Sequence, residues 1–322
     1  MKNIKHGLII ITPVFEDSEA SACLFSELTS QFPGKVFVVA VDDGSVSKPL
    51  EISSLYAAGI DGVILKLCRN FGHQCAIAVG MAYVSERVSD KQSIVVMDSD
   101  GEDLPEKISV LLAMLESDEV DVAVAQRKNR VEKPVFKIFY RLYKIFFRLM
   151  TGRNIDFGNF MALKTKSMNR LVAMQELSIH LAGAVLASRL RIGICAIDRG
   201  RRYTGHSKMN FVGLVLHGFR GLMVFGEDVL VRVGIACATI AMLSVLGIVG
   251  ASLLKLFGFS TPGWFSVALG ILVLMLLQTG ALALMSLLLT VIVRRGPVTS
   301  IADYSEFIEV ELHTDTAREN MN

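Results

Sequence analysis

The sequence predicts an α/β domain followed by a hairpin of two membrane-spanning helices. Within residues 7–128, short apolar segments rich in Val and Ile alternate with segments whose apolar residues recur at helical spacing. Within residues 230–295, two long stretches carry no charged residue. The first pattern is typical of a layered α/β fold, and the second is typical of helices that span a bilayer.

The composition limits the class of protein. The 322 residues are 52% hydrophobic with a mean hydropathy of +0.49, which is too apolar for an ordinary soluble enzyme. The net charge of +2 gives no indication of a nucleic-acid partner. The five cysteines are scattered without a CxxC pair, so neither a disulfide framework nor a zinc site is predicted. A reducing, cytosol-facing catalytic part is the simplest interpretation.

The α/β part is predicted from five strands. The apolar run at the N-terminus is broken by Pro13 and is too short for a signal peptide, so it is interpreted as the first strand. The strands are nearly continuous in apolar character, which predicts a parallel sheet covered on both faces, with helices within 17–31 and 73–88. The predicted strands are GLIIIT, KVFVVAV, GVILKL, SIVVMD and VDVAVA.

Acids and turn residues follow three of these strands. They lie in TPVFED (12–17), DDGS (42–45) and DSDGED (98–103). In open α/β sheets, ligands bind beyond the carboxyl ends of the strands, so these segments are expected to meet at one cleft.

Two segments have the pattern of basic or apolar helices at a membrane surface. Residues 134–150 interleave aromatic and aliphatic residues with Lys137, Arg141, Lys144 and Arg148, which predicts an amphipathic interface helix. Residues 211–228 are a second, weaker candidate just before the first long apolar stretch. For each segment, a helix packed on the domain core is the alternative.

The membrane hairpin is predicted from two uncharged stretches. Val233–Leu254 has 22 residues without a charge and Leu256–Val293 has 38, with a turn signal at FGFSTPGW. About 20 apolar residues span the hydrocarbon core as a helix. Helices are therefore expected near 231–256 and 265–293. A buried helical hairpin in a soluble protein is the less favoured alternative.

The flanking charges predict an orientation for this hairpin. Arg232, Arg294 and Arg295 flank it on one side, and loop 257–264 has no Lys or Arg. The positive-inside rule then places both termini in the cytoplasm, at the inner membrane. The predicted organisation is a catalytic domain over 1–210, the interface helix 211–228, the two membrane helices within 229–295, and a cytoplasmic tail 296–322 that is helical or disordered.

The segment DSDGED crowds four carboxylates into six positions, where they repel one another. Mg²⁺ or Mn²⁺ takes oxygen ligands, usually one or two carboxylates plus substrate phosphates. Asp98 and Asp100, two positions apart at a strand end, could both face such an ion. A solvated turn with Asp103 at the helix start before Pro105 is the alternative, and the DxD pattern alone does not separate the two.

An ordered series of segments resembles glycosyltransferase family 2, specifically the polyprenyl-phosphate glycosyltransferases that include bactoprenol glucosyltransferases and dolichol-phosphate mannose synthase. The resemblance covers almost the whole chain. It implies a GT-A type, Rossmann-like nucleotide-sugar domain, a metal ion (Mg²⁺ or Mn²⁺), a UDP- or GDP-linked donor, a polyprenyl phosphate acceptor and an inverting transfer. The segments are TPVFED, VDDGS, CRNFGHQCAIAVGMAY, MDSDGEDLPE, AQRKNR, FGNFMALK and RRYTGHSKMN.

The resemblance also implies donor-binding residues. Pro13, Phe15 and Asp17 match the P-x-Y-x-E loop around the base and ribose, with Phe and Asp in place of Tyr and Glu. Asp43 matches the acid that binds the base, with Val41 beside it.

Further positions match the metal, diphosphate and acceptor segments of the family. Asp98, Ser99 and Asp100 match the metal and sugar-nucleotide motif. Glu102 stands where relatives often have a Gln ligand and is assigned to the metal with Asp98 and Asp100, and Arg127 matches a basic residue near the diphosphate. The family's R-x-x-G-x-[ST]-K loop for the acceptor phosphate matches Arg202, Ser207 and Lys208. His73 and His206 lack paired ligand spacing and are interpreted as ordinary polar residues.

One departure bears on the mechanism. Relatives often carry an Asp as candidate base where this sequence has Asn159, and Asn accepts no proton at neutral pH. General-base catalysis from this position is excluded unless nearby Asp156 substitutes. Either the acceptor needs no base, or the protein is an inactive, membrane-tethered nucleotide-sugar binder. A processive polysaccharide synthase is a further alternative, although its Q-x-x-R-W segment is absent. The sugar, the nucleotide and a homo-oligomeric state stay open.

Overall fold

The computed structural model describes residues 4–127, 134–204, 211–259, 263–295 and 301–315. The chain forms two compact units. One contains Met1–Tyr143, Asn154–Val224 and Val298–Asn322, and the other contains Lys144–Arg153 and Phe225–Pro297. We refer to them as the sheet unit and the helical unit.

The sheet unit is built on a sheet of eight strands within the described residues. Its order is β7-β5-β6-β4-β1-β2-β3-β8. The first five strands along the chain match the five predicted segments and confirm them. The strands are β1 (Leu8–Val14), β2 (Val36–Asp42), β3 (Asp61–Leu67), β4 (Ser93–Val96), β5 (Val122–Arg127), β6 (Met161–Lys164), β7 (Ile192–Ile197) and β8 (Ile308–His313).

Helices cover both faces of this sheet, as predicted. Alternate residues of β1 enter two separate hydrophobic clusters, with Ile9 and Ile11 in one and Leu8 and Ile10 in the other. The predicted helices within 17–31 and 73–88 correspond to α1 and α3. The helices of the sheet unit are α1 (Ser18–Gln31), α2 (Ile52–Ala57), α3 (His73–Ser85), α4 (Ile108–Leu115), the first residues of α5 (Pro134–Thr151), α6 (Thr165–Val172), α7 (Leu181–Ala187) and α8 (Phe211–Met223).

The five predicted strands all run in one direction, as expected, but two strands that were not predicted make the sheet mixed. The central strands β4, β1, β2 and β3 are parallel, but β6 runs antiparallel between β4 and β5, and β8 runs antiparallel beside β3. The four-residue β6 is too short to give a periodic signal. It pairs Met161 with Val96, so the residues just before Met161 arrive at the carboxyl end of β4.

The C-terminal segment 301–315 was expected to be helical or disordered; a short 3-10 helix is present, but the strand that follows it contradicts the expectation. A 3-10 segment, Ile301–Phe307, leads into β8. The sequence IEVELH alternates apolar and acidic residues, as a half-exposed edge strand requires. At its end, the Thr314 hydroxyl accepts a hydrogen bond from Gly62 N (3.0 Å) and lies 3.2 Å from Gly62 O as a donor. The segment therefore completes the sheet.

A buried tyrosine fastens this segment to α3. The Tyr304 hydroxyl accepts a hydrogen bond from Arg87 Nη1 (2.8 Å) and donates one to Glu86 Oε2 (2.6 Å). The Arg87 guanidinium also lies 3.7 Å from the centre of the Tyr83 ring. Tyr304 is only 5% exposed and its bond to Arg87 is buried, so this contact holds the segment in place.

The helical unit contains two helices that are long and apolar enough to cross a membrane. They are α9 (Gly226–Leu256) and α10 (Trp264–Arg295), close to the predicted 231–256 and 265–293. They pack together, and Ser286 Oγ donates a hydrogen bond to Leu230 O (2.7 Å). Most of their apolar side chains are exposed, as is typical of helices whose surroundings are lipid.

The last residues of α5 also belong to the helical unit. Phe147 is fully buried and meets Phe225 edge-on at 5.9 Å between ring centres. Arg232 Nη1 donates a hydrogen bond to Leu149 O (3.1 Å). The predicted interface helix 134–150 is thus a helix, and its C-terminal half packs with the start of α9.

Replacing Tyr304 by Phe tests how the C-terminal segment is held. Tyr304→Phe leaves the Arg87 donor without its hydroxyl partner, which costs on the order of 1–2 kcal/mol. We expect faster amide hydrogen exchange over residues 301–315 and a lower melting temperature.

Tyr56→Phe is the matched control, because Tyr56 is 40% exposed. It should leave both measurements unchanged. Unaltered exchange over 301–315 in Tyr304→Phe would contradict the assigned role.

Candidate active site

The predicted site residues lie beyond the carboxyl ends of the parallel strands, and below we call this end of the strands the same edge of the sheet. Pro13 and Val41 are paired neighbours at the ends of β1 and β2. Phe15 follows β1 with an exposed ring, and Asp17 precedes α1 without capping it. The structure therefore brings together the residues predicted to hold the base and ribose.

Asp43 is buried and fixes the backbone that leads into α3. Its carboxylate accepts hydrogen bonds from Phe71 N (2.7 Å) and Gly72 N (2.9 Å). Burial raises the pKa of Asp43, and the two backbone donors partly offset this. The next residue, Gly44, has a φ of +70° and lies so close to Arg69 that a Cβ would be 2.5 Å from its carbonyl carbon. Only glycine fits there.

Glu16 is a residue that the sequence analysis missed. Its φ is +50°, and its carboxylate accepts hydrogen bonds from three consecutive backbone amides, those of Val46 (2.7 Å), Ser47 (3.0 Å) and Lys48 (2.6 Å). The Glu16 amide donates to Ser45 Oγ (2.8 Å). This carboxylate fills an anion-binding turn and joins the loop after β1 to the loop after β2.

The acidic loop after β4 is neutralised by cations from other parts of the chain. Asp98 Oδ1 lies 3.2 Å from His73 Nε2. Asp100 Oδ2 lies 2.7 Å from Arg202 Nη2, and its Oδ1 accepts a hydrogen bond from Glu102 N (2.9 Å). The backbone bonds and the positive side chains together make the crowding of carboxylates tolerable.

Glu102 faces two arginines. Its Oε1 accepts a hydrogen bond from Arg202 Nε (3.0 Å), and its Oε2 pairs with Arg199. Arg199 was not predicted. Both arginines follow β7, which is parallel to β5 and ends at the same edge of the sheet. The assignment of Glu102 as a metal ligand stays a prediction, and so does the assignment of Arg202 to the acceptor phosphate.

Asp103 does not act as a helix cap, contrary to expectation. The 3-10 turn at Pro105–Lys107 is preceded by Leu104 and has no side-chain cap. Instead, Asp103 Oδ2 accepts a hydrogen bond from Asp98 N (2.9 Å). Its carboxylate thereby closes the loop onto its own start, because a side-chain acceptor five residues away reaches the amide that the end of the strand leaves unpaired.

Burial and charge act differently on the acids of this loop. Burial opposes ionisation of Asp98, but the neighbouring His73, Arg199 and Arg127 outweigh it, so the Asp98 pKa is lowered. Burial and the Asp98 charge raise the pKa of Asp100. The same two causes raise the pKa of Asp103 well above its ordinary value. Asp98 is therefore the most firmly ionised of the three.

Asn159 occupies the end of a chain of hydrogen bonds. The Leu181 amide donates to Gln74 Oε1 (2.6 Å), and Gln74 Nε2 donates to Asn159 Oδ1 (3.1 Å). Asn159 Nδ2 then lies 2.9 Å from His73 Nε2. Because the Leu181 amide can only donate, the chain fixes the orientation of both side-chain amides.

His73, which was interpreted as an ordinary polar residue, lies beside the acids of the candidate site. One ring nitrogen, Nε2, contacts both Asn159 and Asp98, and the Asp98 charge raises the pKa of His73 against the effect of burial. No spacing rule reveals it, because α3 brings it to acids that are 25 or more positions away in sequence.

Four predicted site residues remain, and the structure describes two of them. Ser99 is buried and its hydroxyl donates to Pro13 O (3.2 Å). Arg127 ends β5 on the same edge and is exposed. Ser207 and Lys208 lie outside the described residues, as does His206.

The side chains that could act as metal ligands suit a divalent cation only in part. Within the described residues, no three His, Cys, Asp or Glu side chains converge as ligands. The buried Asp98 Oδ1 makes no hydrogen bond of ordinary geometry with the described residues, but it lies 3.2 Å from His73 Nε2, which a bound cation would replace as its partner. Mg²⁺ commonly takes one or two carboxylates and completes its shell with substrate phosphates and water. Asp98, with Asp100 beside it, fits that mode of binding.

Comparisons with known proteins agree on a family. The family model described as Glycosyl transferase family 2 matches residues 9–177. An uncharacterized glycosyltransferase of Synechocystis sp. is 25% identical over 280 residues, which are 83% of this chain and 85% of the relative. A dodecaprenyl-phosphate galacturonate synthase of Rhizobium johnstonii is 30% identical over 219 residues, 62% of this chain and 61% of the relative.

A solved structure supports the fold. The crystal structure of glucosyl-3-phosphoglycerate synthase from Mycobacterium tuberculosis with Mn²⁺, UDP-glucose and phosphoglyceric acid has a TM-score of 0.50 to this chain. The two are 13% identical over 71% of this chain and 80% of the other. The sheet unit thus has the predicted GT-A type, Rossmann-like fold.

Replacing Glu16 by Gln tests whether the Glu16 clamp shapes the nucleotide site. Glu16→Gln replaces an anionic acceptor with an amide whose NH₂ faces backbone donors. Hydrogen bonds to a charged group contribute about 1.5–3 kcal/mol, so we expect about a tenfold loss of affinity for UDP or GDP, measured by calorimetry.

Glu19→Gln is the matched control, because Glu19 joins the same loop through an exposed ion pair with Lys48 (2.8 Å). Exposed ion pairs contribute little, so its nucleotide affinity should stay that of the wild type. If Glu16→Gln lowered the melting temperature and left nucleotide affinity intact, its role would be structural only.

Proposed function

The chain belongs to glycosyl transferase family 2, and from that premise we propose that it transfers a sugar from a nucleotide-sugar donor to a polyprenyl phosphate at the cytoplasmic face of a membrane. The transfer inverts the anomeric configuration. The acceptor is an undecaprenyl-type phosphate, and the product is a lipid-linked sugar used to modify cell-surface glycans.

The observation that carries this proposal is the acidic loop after β4. Asp98 and Asp100 lie beside the β1 and β2 loops that hold Phe15 and Asp43. Two carboxylates next to a nucleotide cleft suit a metal–diphosphate complex, because the metal offsets the repulsion between them and the diphosphate. The glucosyl-3-phosphoglycerate synthase from M. tuberculosis was crystallised with Mn²⁺ and UDP-glucose, which supports the same donor chemistry.

A bound Mg²⁺ or Mn²⁺ would stabilise the negative charge of the departing nucleoside diphosphate. Asp98 would hold it through the buried Oδ1, with Asp100 as a second ligand, and Glu102 is the predicted third. Arg127 and the arginines after β7 would add positive charge around the diphosphate. Phe15, Asp17 and Asp43 would orient the base and ribose.

The acceptor is proposed to be a phosphate because the site offers no base at the expected position. The Asn159 oxygen accepts a hydrogen bond from Gln74 Nε2, and an amide takes up no proton at neutral pH. A phosphate monoester has a second pKa of about 6 and is mostly ionised at neutral pH, whereas a sugar hydroxyl is not. The acceptor oxygen therefore attacks the anomeric carbon directly. The name of the R. johnstonii relative, a dodecaprenyl-phosphate galacturonate synthase, supports this acceptor class.

The membrane location is supported by three features. The helices α9 and α10 are long and apolar enough to span a bilayer. The exposed apolar residues Leu142, Ile145 and Leu149 of α5 recur at helical spacing, as on a helix at a membrane surface. Because β8 pairs with β3, the chain on both sides of the hairpin belongs to the sheet unit, which supports an even number of crossings.

The function is tested with membranes that contain the protein. They are incubated with undecaprenyl phosphate, Mg²⁺ or Mn²⁺, and a panel of labelled UDP- and GDP-sugars, and lipid-linked product is measured. We expect product from one donor and at least a 100-fold loss in Asp98→Asn, because a metal ligand is removed. Metal-dependent nucleotide-sugar binding without product from any donor would favour the inactive binder and would overturn the enzymatic proposal.

The base-free mechanism makes a separate prediction. Asn159→Ala should keep a single-turnover rate within a few-fold of the wild type, because no proton passes through this residue. If Asp156→Asn alone abolished the chemical step without weakening donor binding, Asp156 would be the base and the mechanism would be wrong.

A further inference from the structure

We propose that helix α8 binds the acceptor lipid, with Arg220 in contact with its phosphate and the exposed apolar side chains of α8 along its hydrocarbon chain. This inference rests on the proposed function. It assigns a binding role to a helix that the sequence analysis interpreted only as an interface segment.

The position of α8 in the sheet unit is fixed by side-chain contacts. Tyr143 donates a hydrogen bond from its hydroxyl to Gly218 O (3.0 Å). His217 Nε2 lies 3.2 Å from His180 Nε2, and the two rings are 4.5 Å apart at their centres. Arg220, one turn further along the same helix, is therefore held at a defined place.

The histidine pair is uncharged at neutral pH. His180 Nδ1 accepts a hydrogen bond from Gly183 N (3.0 Å), so its proton lies on Nε2 and is donated to His217. Burial, the first cause for both, lowers the pKa of His180 to about 3 and also lowers that of His217. Arg220 is the one ionised side chain in the sequence of α8.

Arg220 lies at the entrance to the candidate site. Its Nη1 is 3.7 Å from the position that a Cβ on Gly72 would occupy. The next residue, His73, contacts Asp98 and Asn159. The guanidinium is thus within one residue of the side chains that surround the predicted point of transfer.

Arg220 also differs from the other arginines of the site. Arg199 and Arg202 are paired with the acids of the β4 loop. Among the described residues, no carboxylate pairs with Arg220. An exposed guanidinium without a carboxylate partner can bind a phosphate through two parallel hydrogen bonds. Such a cation would also offset the repulsion between an incoming phosphate and the acidic loop.

Apolar side chains adjoin Arg220 on the exposed side of α8. Leu216 is 54% exposed, Phe219 55% and Met223 67%, and Val215 extends the same face. At 100° per residue these four positions cover one third of the helix surface, and Arg220 borders them. A strip of exposed apolar surface beside a single cation matches an amphiphile with an anionic head. A polyprenyl phosphate has this form, so we commit to it as the occupant.

The test measures binding rather than turnover. The full-length protein is placed in phosphatidylcholine nanodiscs, and the affinity for added undecaprenyl phosphate is compared with that for UDP and GDP. We expect Arg220→Gln to weaken undecaprenyl phosphate binding about tenfold or more and Arg220→Lys to weaken it less, because Lys keeps the charge but not the fork. Nucleotide affinity and melting temperature should not change.

Two further variants separate the parts of the surface. Phe219→Ser should weaken binding of undecaprenyl phosphate but not of inorganic phosphate, since only the former has a hydrocarbon chain. Arg170→Gln on α6 removes an exposed arginine elsewhere in the sheet unit and should bind undecaprenyl phosphate like the wild type.

Each contrary outcome has a distinct meaning. Undiminished undecaprenyl phosphate binding by Arg220→Gln would overturn this inference and leave the proposed function standing. If Arg220→Gln partitioned less onto phosphatidylglycerol vesicles but bound undecaprenyl phosphate undiminished, Arg220 would be assigned to the bilayer surface. This result would also overturn the inference. No binding of undecaprenyl phosphate by the wild-type protein would overturn the proposed acceptor itself.

Discussion

Repulsion among the four carboxylates that follow β4 is the constraint on which the candidate site depends. Two unit charges 4 Å apart interact by about 4 kcal/mol at an effective dielectric constant of 20. The loop is stable because Arg199 and Arg202 arrive from the end of β7 and His73 arrives from the start of α3. Sheet topology therefore matters directly to the chemistry, since β7 and β4 must end at the same edge for these charges to meet.

Carboxylates hold the backbone of the surrounding loops as well. Asp43 and Glu16 accept hydrogen bonds from main-chain amides of another loop, and Asp103 accepts one from the start of its own loop. These acids use their carboxyl oxygens to order irregular backbone, whereas the buried Oδ1 of Asp98 faces a side chain, His73, 3.2 Å away. The site thus contains acids that hold backbone and an acid that pairs with a side chain.

The parts of the fold that could be predicted from the sequence have strong local signals. Five strands of continuous Val and Ile, and two helices of more than 20 apolar residues, repeat their pattern many times along the chain. The strand β6 has four residues, and β8 is half polar, so neither provides a comparable signal. Their antiparallel direction depends on the path of the chain between elements, which periodicity does not encode.

Site residues, too, could be predicted only where the local sequence pattern is strong. Asp98, Asp100 and Asp43 were found because acids after apolar strands form a recognisable pattern. His73, Glu16 and Arg199 were missed because their roles come from contacts across 25 to 100 positions. Asp103 shows the limit of local rules. A helix-start position suggested a cap, but the carboxylate accepts a hydrogen bond from the amide of Asp98 instead.

The edge strand β8 also has a consequence for synthesis. It is made after the whole α9–α10 hairpin, yet it pairs with β3, which is made among the first 70 residues. Until then, the edge of β3 is open to pairing with other chains. Nascent chains of this protein therefore pass through a stage in which the sheet is incomplete while both apolar helices emerge. Final closure of the sheet has to wait until the hairpin has been made, which couples the last step of sheet folding to the completion of α9 and α10.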